Sequence, residues 1–88
     1  MTELELLREG IDGIDRKIVR LLEERMELSR RVGEYKTANR LPVLDTEREN
    51  AIIQSRAAML KDKKMEGAVT EIFKLIMRFS RECQESGK

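Results

Sequence analysis

The sequence has no histidine, one cysteine and one proline in 88 residues. Without histidine or a second cysteine it lacks the commonest metal ligands and the usual Cys/His and Ser/His nucleophilic pairs, and Cys83 cannot close an intrachain disulfide. An excess of one charge is missing as well. Charged residues make up 40 % of the chain, yet 18 basic and 17 acidic side chains leave a formal net charge of +1. Charge alone therefore favours neither nucleic acid nor an anionic membrane as a partner. No apolar run approaches the roughly 20 residues needed to cross a bilayer. The first residues also lack the basic-then-apolar pattern of a signal peptide, so the expectation is a soluble, cytoplasmic protein.

What the sequence does contain is a long helical repeat. Leu4, Leu7, Ile11, Ile14, Ile18, Leu21, Leu28, Val32 and Tyr35 recur in alternating steps of three and four. Arg25 is the one seam position not occupied by an apolar or aromatic residue. No proline interrupts the chain before Pro42, so the spacing predicts a helix from about residue 4 to 38, roughly 50 Å long at 1.5 Å per residue. A compact globule of 88 residues has a radius of gyration of only about 12 Å. Such a helix must project beyond it and needs a partner, most simply a second copy of the same chain.

Pro42 marks a short loop, and Asp45-Thr46 opens a second helix running to about Leu60. Either residue can be its N-cap, and with Thr46 as cap Glu49 would complete a capping box. Lys61 to Gly67 (KDKKMEG) reads as a charged connection. A third helix over about 67–85 carries Val69, Ile72, Phe73, Ile76, Met77 and Phe79 on its apolar face, which turns polar at Ser80 and Gln84. With no strand signal and no internal repeat, the class is all-α: three helices in a single domain over 1–88, the first very long.

Arg25 has two readings. A polar seam residue can fix register or snorkel to water. Alternatively its planar fork points into a pocket and grips an anion, because burying it unpaired would cost several kcal/mol. Arg8 and Lys36 flank the same seam, Arg48 and Glu49 lie in the first turn of the second helix, and Ser80 and Gln84 sit four apart on the third. Each alone reads as a solvated charge, a cap or a fraying end. Together they describe polar groups from three helices that can converge on one site rich in fixed positive charge and short of proton-transfer groups. That makeup suits a dianionic substrate whose reaction separates charge without an acid, base or nucleophile.

LREGIDGIDRKIVRLLEER (Leu7 to Arg25), VGEYK (Val32 to Lys36) and PVLDTERE (Pro42 to Glu49) carry a resemblance to the all-helical (AroQ-class) chorismate mutases, extending over essentially the whole chain. The resemblance implies a [3,3] Claisen rearrangement of chorismate to prephenate in phenylalanine and tyrosine biosynthesis, with no metal or organic cofactor. It also implies an intertwined homodimer of three-helix chains. Residue by residue, Arg25 is similar to the arginine that holds a substrate carboxylate within its own chain, and Arg8 to the one that reaches the other carboxylate from the partner subunit. Lys36 matches the lysine touching a carboxylate and the ether oxygen. Glu49 and the backbone of Asp45 match the groups that hold the substrate hydroxyl, Arg48 a neighbouring arginine, and Ser80 and Gln84 the third-helix pair. A register shifted by one would put Glu85 in place of Gln84, and Glu85 would have to be protonated to donate. Two other functions fit the same features: an isochorismate pyruvate lyase with a similar cationic pocket, and a non-catalytic helical dimerisation or regulatory module.

Overall fold

A computed structural model describes residues 1–86. Its helices are α1 (Glu3–Ala38), α2 (Thr46–Ala58) and α3 (Glu66–Ser86), with a single 3-10 turn at Lys63–Met65 leading into α3. Among the described residues there is no strand, and the class is all-α. α1 begins on a Thr2 cap, whose hydroxyl accepts from the Glu5 backbone N–H at 3.2 Å. It ends in a Schellman-type turn, with the Leu41 N–H bonded to the Lys36 carbonyl and the Arg40 N–H to that of Thr37. Arg40 takes the left-handed conformation, at φ 55°, that glycine usually supplies there. This turn reverses the chain so that the Val43 carbonyl comes back to the side chain of Lys36.

The two candidates for the α2 cap are resolved in favour of Asp45, whose carboxylate accepts from the Arg48 N–H at 3.0 Å. The capping box on Thr46 does not form, and Glu49 is left free for other contacts. α2 also ends slightly before the expected Leu60. The stretch KDKKMEG is more ordered than a plain connection: Asp62 caps the 3-10 turn through the Lys64 N–H, and Gly67 falls inside α3.

α3 is the element on which the others meet. It packs against α1 and against α2, whereas no Cα of α1 comes within 8 Å of one in α2. The core is correspondingly thin, with Ile52, Ala57 and Met77 as its buried apolar residues. Between α1 and α3 the approach is closest at Gly33. A Cβ placed on that residue would lie 2.2 Å from the Gln84 carbonyl oxygen and 2.5 Å from the Gln84 Cα. Two helix backbones meet there with no room for a side chain between them.

The other half of α1 has no such support. From Met1 to Leu21 every residue except Gly13 is exposed, and the apolar seam from Leu4 to Tyr35 is 44–64 % exposed at each of its apolar positions. The molecule measures 56 × 25 × 14 Å, with a radius of gyration of 16.3 Å. Its accessible surface is 7087 Å², where an ordinary folded monomer of 10.3 kDa exposes about 5,400 Å². Roughly 1,700 Å² more than expected remains uncovered, and the open seam of α1 is part of it.

Two glycine substitutions separate close packing from helix propensity. Gly33→Ala should destabilise the fold by about 1–3 kcal/mol or more, because α3 must move to admit the methyl group. Gly67→Ala, with nothing within 4 Å of its Cβ position, should stabilise it by about 0.5–1 kcal/mol. Denaturant unfolding of the two variants checks the opposite signs.

Candidate active site

The gap between α1 and α2, closed on one side by α3, is a cavity of about 510 Å³, within the range that holds small ligands. Its floor is apolar, with Val32 from α1, Ile52 from α2 and Met77 from α3. Its polar groups come from all three helices: Arg25 and Lys36 from α1, Arg48 and Glu49 from α2, Ser80 and Gln84 from α3, and Asp45 from the turn before α2.

Arg25 Nη1 donates to Ser80 Oγ, and the Ser80 hydroxyl in turn donates to Met26 Sδ at 3.9 Å. Ser80 is only 5 % exposed, so the serine fixes the guanidinium from the protein side. One bond uses one of five N–H donors, and the remainder of the fork is available to a ligand. Among the described residues no carboxylate pairs with Arg25. Burial, followed by the fields of Arg56 and Arg48, pushes its pKa below the ordinary arginine value. A lowered pKa in a base means that the folded chain holds the charge less readily than the unfolded one, so this charge works against folding at neutral pH. An anion bound among the arginines would offset that cost.

Lys36 Nζ donates to the Val43 carbonyl at 2.8 Å and to Gln84 Oε1 at 2.7 Å. Two of its three donors are thereby fixed and one remains. The same contact sets the orientation of Gln84: its oxygen accepts from Lys36, which leaves its NH2 as a donor. Gln84 is half-buried and lines the cavity, whereas Glu85 is exposed and does not. A lysine N–H and a glutamine N–H thus lie side by side, both able to donate to one oxygen. Arg8 stands apart, exposed on the unsupported half of α1 and roughly 25 Å from Arg25 along the helix axis.

The model of chorismate mutase type II matches residues 7–85, nearly the whole chain. The chain belongs to the chorismate mutase type II family. Among proteins similar to this family member is a bifunctional chorismate mutase/prephenate dehydratase of Aquifex aeolicus, 44 % identical over 62 residues that make up 70 % of this chain and 17 % of the relative. A T-protein of Haemophilus influenzae is 37 % identical over 82 residues, 93 % of this chain and 21 % of the relative. The chain thus spans about a fifth of the length of these curated relatives. A solved structure of a conserved hypothetical protein from Pyrococcus furiosus superposes with a TM-score of 0.80 at 36 % identity, covering 96 % of this chain and 97 % of that one.

Within this chorismate mutase fold, two charged residues near the cavity carry no signal that sequence reasoning used. Arg56 contributes the larger of the two arginine fields acting on Arg25. Its spacing was informative, since Arg48, Ile52 and Arg56 fall at i, i+4 and i+8 on one face of α2. Arg81 pairs with Glu49, Nε to Oε2 at 3.1 Å. It lies one residue beyond Ser80, off the Ser80–Gln84 face, and no local spacing links it to α2.

Because Arg25, Arg48 and Lys36 converge and none of them is ion-paired to a carboxylate among the described residues, a small dicarboxylate should raise the unfolding temperature saturably at constant ionic strength. At a hundred times its Kd the stabilisation would be about 2.7 kcal/mol. Arg25→Met should remove most of that rise while leaving the helical circular dichroism intact, and a rise undiminished in the variant would locate the anion elsewhere.

Proposed function

We propose that the chain catalyses the rearrangement of chorismate to prephenate, as a cytoplasmic enzyme whose site lies in the cavity between α1 and α2. The observation that carries this reading is the Lys36–Gln84 contact inside a cavity that Arg25 and Arg48 also line. In this reaction a C–O bond breaks and a C–C bond forms within one molecule, and no proton is transferred. The ether oxygen gains negative charge in the transition state. The third N–H of Lys36 and the NH2 of Gln84 donate to that oxygen, and both are held in place beforehand, so little reorganisation is needed as charge develops.

Arg25 grips one substrate carboxylate with the donors that Ser80 leaves unused, and Arg48 adds positive charge beside it. Glu49 and the Asp45 backbone hold the substrate hydroxyl. The extended substrate is thereby folded into the reactive conformer, and conformational restraint and electrostatics supply the acceleration together. A millionfold rate enhancement requires roughly 8 kcal/mol, and a single well-aimed donor typically accounts for about 2.7–4 kcal/mol. The number of fixed donors in the cavity is of the right order. Neutral Gln84 also implies a rate that stays nearly flat between mildly acidic and neutral pH.

We further propose that residues 1–88 form a single domain that works as a homodimer. Two observations support it: the uncovered seam of α1, and the distance of Arg8 from the other site residues. An open apolar groove of about 660 Å³ between α1 and α3, lined by Ile18, Leu22, Ile72 and Phe79, adds surface for a second copy. An excess of roughly 1,700 Å² per chain is the scale of an obligate interface. Pairing the long helices about a two-fold axis brings Arg8 of each chain to the cavity of the other, where it takes the second carboxylate.

Loss of chorismate absorbance on mixing with purified protein tests the activity, and no turnover would dismiss it. Arg25→Ala should lower kcat/KM at least about a hundredfold without loss of the helical dimer. Arg8→Ala should be similarly impaired. Equal mixing of the two inactive chains should then restore about a quarter of wild-type activity, because half the dimers are mixed and each holds one intact site. No recovery despite demonstrated subunit exchange would contradict a shared site.

A further inference from the structure

Glu49 is the one carboxylate in the cavity lining that is not already committed to the backbone, since that of Asp45 caps α2. It is also an awkward group to place beside a substrate carrying two negative charges. Its side chain is 19 % exposed, and its Oε2 lies 3.1 Å from Arg81 Nε. The Arg81 side chain as a whole is 38 % exposed, but its Nε is closed off from solvent. The N–H there is close to the carboxylate without being aligned for a hydrogen bond, and among the described residues it has no other acceptor.

A buried N–H left without an acceptor is costly, so Arg81 favours the Glu49 conformer that brings Oε2 toward it. Glu49 lines the cavity and meets Arg81 through Oε2, so Oε1 is the oxygen available to a ligand. Arg81 itself is not part of the cavity lining and would touch no substrate atom. Its positive charge is next to a carboxylate that does line the cavity, and there it offsets the repulsion between Glu49 and a dianion.

We propose that Arg81 is a positioning residue: it holds Glu49 through Oε2 so that Oε1 accepts the substrate hydroxyl, and it screens the carboxylate from the negative charge of the substrate. This role rests on the proposed mutase activity and adds a residue to it. The cavity thereby accepts a hydroxylated dicarboxylate and discriminates against a dicarboxylate without that hydroxyl. Specificity would come from a pair of which only one member meets the ligand.

A double-mutant cycle on the full chain tests it, with chorismate as substrate and subunit mass and circular dichroism recorded for every variant. Arg81→Gln should lower kcat/KM about tenfold, mainly through KM, and Arg81→Lys should recover most of that loss. In the Glu49→Gln background, where no carboxylate remains to be held or screened, Arg81→Gln should change kcat/KM by less than about twofold. A merely structural role would give the same loss in both backgrounds and no rescue by lysine. Equal losses in the two backgrounds, or an Arg81→Gln variant as active as wild type, would overturn the assignment while leaving the mutase activity standing. An inactive wild-type protein would instead remove the activity and this role with it. Should Arg81→Gln fail to fold, Arg81→Met, which also removes the charge and the N–H, makes the same comparison in the two backgrounds.

Discussion

The backbone of α3 lies against Gly33 so closely that no side chain fits between the helices, and the geometry of the cavity depends on that contact. The Cα atoms of α1 and α2 stay more than 8 Å apart, so the position of each backbone relative to the other is set through α3 and the loop that joins them. Lys36 stands about one turn beyond Gly33 and ties the same point twice, once to Gln84 on α3 and once to the Val43 carbonyl in the loop. A lysine reaching between two neutral acceptors is an uncommon structural brace, since its charge is left without a counter-ion. That arrangement is useful where a further negative group is to arrive, and the donor left over is the one that would meet it.

A second constraint is length. A 36-residue helix cannot be covered by the 50 residues that follow it, whatever those residues are. Isolated helical turns are marginal in water, and the exposed half of α1 carries an unbroken apolar seam that gains nothing from solvent. The arginine that breaks that seam is bonded to the buried hydroxyl of Ser80 on α3. Stability of the long helix and construction of the cavity are therefore one problem: the seam lies open along most of its course and becomes a cavity wall at Arg25, Leu28 and Val32.

Much of this was legible because it is local. Seven-residue spacing specifies the first helix to within a residue at its N-terminus, and the i, i+4 relation of Ser80 to Gln84 is enough to put both on the cavity side of α3 while Glu85 faces away. What the sequence did not disclose is nonlocal or degenerate. Gly33 looks like an ordinary helix glycine until the opposing backbone is known. Asp45 and Thr46 satisfy the same capping rule, and only the folded turn distinguishes them. Arg81 has its partner on another helix, 32 positions earlier, and no periodicity encodes that meeting.

The choice of cap has a consequence for the chemistry. Had Thr46 capped α2, the Glu49 carboxylate would have reached back to the Thr46 backbone N–H at the helix start. With Asp45 in that place the glutamate is released one position beyond the residue whose N–H is capped, and it extends across to α3 instead. One short acidic side chain thus satisfies the helix terminus so that a longer one can enter the cavity. The positive end of the α2 dipole then faces the same space as Arg25, Arg48 and Lys36, and the cavity collects fixed positive charge from side chains and backbone alike. For a reaction in which no proton moves and charge separates within a single bound molecule, such a fixed field is the main means by which a protein of this composition can lower the barrier.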